Sequence, residues 1–204
     1  MIAIIDYKLG NLRSVAGAVA RLGHEPRITS RPEDLKEADK LILPGVGAFA
    51  DGMKNLRELG LIEPLAALVL NDCKPILGIC LGFQLMAMDS SEFGYHEGLG
   101  WLDASVIRIE PDDPGLRIPH VGWNDLRKAA VDPLFREIPD DALFYYVHSY
   151  HVRCNRPEIV LGTCDYGVPF VAAVRQNNIY AVQFHPEKSQ LAGLQLLKNF
   201  LNEA

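Results

Sequence analysis

The sequence lacks any apolar run of the roughly 20 residues needed to cross a bilayer, so no membrane partner is expected. Its first residues, MIAIIDY, carry no basic stretch and no small-residue cleavage site. They read as a strand rather than a secretory leader, and a cytoplasmic location is expected. Basic residues are in the minority. With 20 Lys and Arg against 26 Asp and Glu, the formal net charge is −6. That argues against nucleic acid as a partner, since such binding needs a basic patch or stripe. Cysteine is scarce, and Cys73, Cys80, Cys154 and Cys164 form no CxxC pair. No disulfide framework is implied. Three of the four are expected to be ordinary buried thiols, because free cysteine behaves as a small hydrophobe. Repeats, low-complexity segments and long linkers are also missing. The 204 residues, 49% hydrophobic and 23% charged, suit a single domain over 1–204 with a sizeable core.

What is present is alternation. Residues 2–6 are a short apolar run that reads as a buried strand. Residues 11–22 carry Leu12, Val15, Val19 and Leu22 at helical spacing, with Gly23 as a stop. Residues 30–38 open with Ser30 and Glu33 in capping-box spacing and Pro32 at a helix start. Strands are expected at 41–43 and 75–79, and helices at 48–56, 61–70 and 81–88. This order implies a parallel sheet covered by helices on both faces. From Trp101 the pattern changes. Residues 102–110, 143–153, 159–165, 171–176 and 179–183 read as strands separated by turn clusters, and a helix over 189–201 closes the chain. The expected fold class is α/β in three layers. A mostly parallel sheet has flanking helices and an antiparallel strand extension in the C-terminal half.

Two short segments carry chemistry. Gly78-Ile79-Cys80-Leu81-Gly82 follows a strand and precedes a helix, which is the nucleophile-elbow arrangement with cysteine in place of serine. The helix start places backbone N–H groups near the sulfur and favours the thiolate, its reactive form. The Leu81 N–H is one donor for a developing oxyanion. The second segment is Gln183-Phe184-His185-Pro186-Glu187. Pro186 pushes His185 into an extended conformation, where residues two apart share a side. Glu187 then orients the His185 imidazole as a base. A buried structural cysteine and a satisfied histidine are the bland alternatives. Zinc ligation by Cys80, His185 and Glu187 is another, but no second histidine falls at the short spacing zinc sites use. No metal or cofactor is called for.

Together with Pro44-Gly45-Val46-Gly47, these segments resemble the class I glutamine amidotransferases. The likeness tightens with Gly122-Trp123-Asn124, Val147-His148-Ser149-Tyr150 and the Lys188-Ser189 that follows Glu187. Those resemble the glutaminase subunits of imidazole glycerol phosphate synthase, and the similarity runs over essentially the whole chain. The resemblance implies hydrolysis of glutamine to glutamate and ammonia by Cys80, His185 and Glu187. It implies a second oxyanion donor from Val46 and Gly47. It also implies that Gln84 and Glu92 hold the charged end of the substrate, with backbone groups of Ser149 and Tyr150 binding its carboxylate. Gln84 lies one turn from Cys80 and so reaches the same pocket.

Ammonia released into neutral water becomes mostly ammonium, which is no nucleophile, and the chain has no room for an acceptor domain. A separate partner is therefore expected. The resemblance names it as a (β/α)8-barrel cyclase that makes imidazole glycerol phosphate and an aminoimidazole carboxamide ribotide in histidine biosynthesis. Asn11, Trp123, Tyr146 and Lys188 are the candidate interface residues. The glycines at 45 and 47 read as hinges of a loop that the partner orders. Rival readings are the glutaminase subunit of anthranilate or aminodeoxychorismate synthase, a cysteine hydrolase of another kind, and a non-catalytic binding subunit. Two residues depart from the family pattern: Lys8, where glycine is usual, and His151, where tyrosine is expected.

Overall fold

The strands at residues 2–5 and 76–80 carry no charged residue and are buried at every position, because both faces of their sheet are covered. The computed structural model describes residues 1–203. The first half runs β1 (Ile2–Ile5), α1 (Leu12–Arg21), β2 (Pro26–Thr29), α2 (Pro32–Glu37), β3 (Lys40–Gly45), α3 (Phe49–Glu58), α4 (Ile62–Ala66), β4 (Ile76–Cys80) and α5 (Leu81–Leu85). A π-helical turn, Ala67–Asn71, prolongs α4. Alternate residues feed opposite layers. Ala3, Ile5, Leu41 and Leu43 join one core with Leu35, Phe49 and Leu65 of the helices on that side. Ile2, Ile4, Ile42, Leu77 and Ile79 join another with Val15, Val19, Leu196 and Phe200.

The second half runs β5 (Ala87–Ser90), β6 (His96–Glu97), β7 (Leu102–Arg108), β8 (His120–Asp125), β9 (Arg127–Lys128), β10 (Leu143–His148), β11 (Tyr150–Cys154), β12 (Val160–Asp165), β13 (Pro169–Gln176), β14 (Ile179–Val182) and α6 (Gln190–Glu203). The main sheet has the order β2-β1-β3-β4-β14-β13-β11-β7-β5-β6, with β12 and β9 attached beside β13. From β2 to β14 it is parallel. β13 and β11 continue it antiparallel. The architecture is the expected three-layer α/β fold with an antiparallel extension.

Several local expectations are corrected. The capping box at Ser30 is not formed: Arg31 is the N-cap of α2, without a side-chain cap bond. Thr29 instead donates to Asp34 at 2.6 Å and accepts from the Arg31 N–H. The helix expected over 81–88 stops at Leu85, because the N–H groups of Leu99 and Trp101 take the Leu85 and Met86 carbonyls. The strand expected over 143–153 is two strands in two sheets. β10 pairs antiparallel with β8, which was not anticipated, while β11 pairs with β7. Cys73 is exposed rather than buried.

Candidate active site

Strand β4 meets α5 with no loop between them, so the chain reverses on Cys80 itself, at φ 53° and ψ −109°. A side chain in such a conformation costs on the order of 1–3 kcal/mol and persists only where neighbours over-determine it. Gly82 is one such neighbour. A Cβ there would collide with the Leu43 carbonyl, so α5 lies against β3 at backbone contact. The Cys80 thiol lies 3.9 Å from the Val147 carbonyl and accepts from Gln183 Nε2 at 3.7 Å.

His185 follows β14, the parallel neighbour of β4. Its backbone is extended, as the proline after it requires. Nδ1 meets Glu187 Oε1 at 2.9 Å, and both side chains are 1% exposed. A carboxylate only accepts, so Nδ1 carries the proton. Nε2 is buried with no partner of hydrogen-bond geometry, which leaves it for proton transfer. Burial by itself would lower the imidazole pKa. The adjacent Cys80 sulfur and the Glu187 carboxylate outweigh it and raise the value from 6.5 to about 10. The site thus sets an imidazole, oriented by a carboxylate, beside the Cys80 sulfur.

Above this group opens a cavity of about 410 Å³, a size suited to a small molecule. Val46, Gly47, Leu81, Gln84, Glu92, Ser149 and Tyr150 all line it with Cys80, and so does Lys188. Gln84 Nε2 donates to the Tyr150 carbonyl at 2.9 Å and to Gln183 Oε1 at 3.1 Å. Both its donors are engaged within the protein, which leaves its carbonyl as the group that can accept. Glu92 accepts from the Phe49 N–H at the start of α3, at 2.6 Å, which pins its carboxylate at the rim. The Ser149 carbonyl accepts from the Ile109 N–H. A larger hollow of about 540 Å³ between Lys128 and Arg136 has no cysteine or histidine in its lining, and its Asp132 and Lys128 are tied to Arg175 at 2.9 Å and to Asp140 at 2.7 Å.

The interface candidates separate. Trp123 is 44% exposed and packs edge-on against Tyr145, with ring centres 5.9 Å apart. Lys188 places its ammonium 5.5 Å from the same Tyr145 ring. Asn11 is half-buried beside α1. Tyr146 is fully buried, with its hydroxyl donating to the Asp125 carbonyl at 3.3 Å, and is a core residue rather than an interface one. The side chains of β10 alternate between core and surface, and position 146 falls on the core side. Gly45 is not a hinge either. It ends β3, and a Cβ there would strike Tyr7, Leu81 and Gly82.

The two departures have physical accounts. Lys8 sits at φ 69°, with its N–H donating to Asp6 at 2.9 Å. That conformation favours glycine. His151 is buried in β11 against Phe170, with Nδ1 on the Val152 carbonyl at 3.3 Å. Gln183 and His148 fall within the motifs read from the sequence but have no role assigned to them there, and His120 is not singled out. His148 and Pro119 line the cavity. Burial pushes the His148 pKa down to about 3 and the His120 pKa down to about 4, so both rings are neutral.

Residues 3–204 match the family model for glutamine amidotransferase class-I. A Campylobacter jejuni protein named imidazole glycerol phosphate synthase subunit HisH 1 is 52% identical over 200 residues, covering 98% of each chain. A Geobacter sulfurreducens protein named as the HisH subunit is 46% identical over 203 residues, covering 98% of this chain and 97% of the relative. Among solved structures, PurLQS from Thermotoga maritima superposes with a TM-score of 0.76 at 20% identity, over 98% of this chain and 97% of that one. A crystal structure described as glutamine amidotransferase gives 0.72 at 25% identity with the same coverage. The elbow cysteine, its histidine–carboxylate pair and these full-length matches lead to one conclusion: the chain belongs to the class-I glutamine amidotransferase family.

Proposed function

We propose that this chain is the glutaminase subunit of an imidazole glycerol phosphate synthase, working as one domain over residues 1–204 in the cytoplasm. What carries the reading is Cys80 in the lining of an amino-acid-sized cavity with the His185–Glu187 pair buried beside it. The chain's relatives of 46–52% identity bear the HisH name. Those names also favour it over the anthranilate and aminodeoxychorismate alternatives.

The Cys80 sulfur attacks the side-chain amide carbon of glutamine. The carbonyl oxygen becomes an oxyanion, met by the Leu81 N–H and by a donor from Val46 or Gly47. His185 gives its Nε2 proton to the leaving nitrogen, and ammonia departs with a thioester left on Cys80. His185 then takes a proton from water, whose oxygen attacks the thioester. Glutamate leaves and the sulfur is restored. Glu187 keeps the imidazole in register through both steps. Gln84 and Glu92 hold the substrate ammonium, and the Ser149 and Tyr150 N–H groups its carboxylate. Ammonia passes to a separate (β/α)8-barrel cyclase docked over Asn11, Trp123 and Lys188. The Val46–Gly47 segment is ordered by that docking.

Glutamate release should be measured with the chain alone and with its cyclase and the cyclase ligand. Release that rises strongly with the partner and vanishes in Cys80→Ala is the expected result. Strong partner-independent release would remove the ordering of Val46–Gly47. No release under either condition would overturn the whole reading.

A further inference from the structure

From the cavity wall a file of polar groups runs inward through His148, His120 and Asn124, none of which has a role in the proposed hydrolysis. The Tyr150 carbonyl accepts twice, from Gln84 Nε2 at 2.9 Å and from His148 Nδ1 at 2.9 Å. A carbonyl has lone pairs only, so His148 carries its proton on Nδ1. As a neutral ring it offers Nε2 as an acceptor, and His120 Nδ1, 3.1 Å away, must donate to it. His120 Nε2 is then an acceptor in turn and faces Asn124 Nδ2 at 3.4 Å. Asn124 Nδ2 also donates to the Asp165 carbonyl at 2.9 Å. Both tautomers are thereby fixed. Tyr166 stacks on the His120 ring at 4.0 Å between centres, and Tyr146 at 5.0 Å, so the ring is held in place. On the other side of the same carbonyl, Gln84 leads through Gln183 to the Cys80 sulfur.

We propose that His148 is a positioning residue for glutamine, held in one tautomer by His120. By donating to the Tyr150 carbonyl it occupies that oxygen within the protein. This fixes the peptide segment whose N–H groups face the substrate carboxylate and gives Gln84, whose carbonyl takes the ammonium, a stationary partner. The inference rests on the cavity being the glutamine site. Without the His148 donor, the segment loses one of the bonds that fix it, and Gln84 loses a stationary partner. Glutamine binding then weakens while the nucleophile and its base stay in place. The requirement is for a donor at the Nδ1 position, not for a ring or a charge.

The test is glutamine affinity by calorimetry in the Cys80→Ala background, in complex with the partner subunit, so that binding is read without turnover. Adding His148→Ala should weaken binding about tenfold, the factor matching one lost buried hydrogen bond. His148→Asn places an N–H where Nδ1 was, and should stay within about threefold of the parent. His120→Phe keeps the stacking but frees the His148 tautomer, and should fall between them. With Cys80 intact, the His148→Ala loss should appear in KM, with kcat within about twofold. Should His148→Ala fail to fold, His148→Phe supplies a ring without the donor. Unchanged affinity in His148→Ala would overturn the proposal. So would equal losses in His148→Ala and His148→Asn, which would leave His148 a packing role. No glutamine binding by the Cys80→Ala parent itself would overturn the glutamine site, a separate failure.

Discussion

Two walls of one cavity use the same residue type for opposite ends. At the elbow, Gly82 and Gly45 bring backbones into contact that any side chain would force apart. The strained turn at Cys80 is held by that packing. Across the cavity, Gly47 sits at φ 108°, and the nearest atom to its missing side chain is a Leu9 methyl at 3.8 Å. Its neighbour Val46 is 38% exposed. One wall is fixed because nothing there has room to move; the other has room, and glycine supplies the conformation. A nucleophile needs a fixed position, whereas the partner-ordered oxyanion donor proposed for the second wall needs an alternative one.

That contrast breaks first at the fixed wall. Glu187→Gln keeps the shape but removes the charge that orients His185, and kcat should fall about 10³-fold or more. The basic limb of the pH–rate profile should also move to lower pH. His185 is raised to about 10 against burial by Cys80 and by Glu187, and the variant loses the second contribution. The sign for stability is the same. A proton held more tightly in the folded state stabilises fully below pH 6.5, and that stabilisation is lost as the pH rises through about 10. Urea melts across that range should show the loss in the parent and a smaller one in Glu187→Gln. Next in size, Gly82→Ala forces a Cβ into the Leu43 carbonyl and should destabilise by about 3 kcal/mol in denaturant titration. Gly47→Ala meets no such obstacle. It should cost about 1 kcal/mol through its positive φ, yet it should lower partner-stimulated glutaminase by more than it lowers unstimulated turnover. Equal stability losses at 82 and 47 would erase the difference between the walls. The smallest change expected is a gain: Lys8→Gly relieves a left-handed lysine and should raise stability by about 1 kcal/mol, read as a higher Tm.

The fixed wall was legible in the sequence, and the reason is locality. Apolar runs covered on both faces identify the parallel strands, and elbow and base are each set within five residues by a strand end, a turn and a proline. The rest depends on pairings between distant segments. Nothing local says that residues 143–153 break at Ser149, because the break exists only since β8 takes one half and β7 the other. The extent of α5 was overestimated because residues 99–101 take its last carbonyls from outside. Tyr146 reads as an interface aromatic until its face of β10 is known. His148 and Gln183 stand within legible motifs, but the sequence does not say what they bond. Their partners, His120 and Gln84, lie 28 and 99 residues away.

The sheet order also has a consequence for how the protein is made. β14 lies beside β4 in the sheet, between it and β13, although it is the last strand in the chain. The strand bearing the nucleophile therefore leaves the ribosome with one edge open, and its neighbour follows about a hundred residues later. His185 comes with that neighbour. A growing or prematurely ended chain can form the elbow but has neither the base nor the far side of the sheet. It should be an inactive thiol protein with an exposed strand edge, a target for chaperones and proteases. Glutamine is thus safe from unfinished copies, because the strand that completes the sheet also delivers the base.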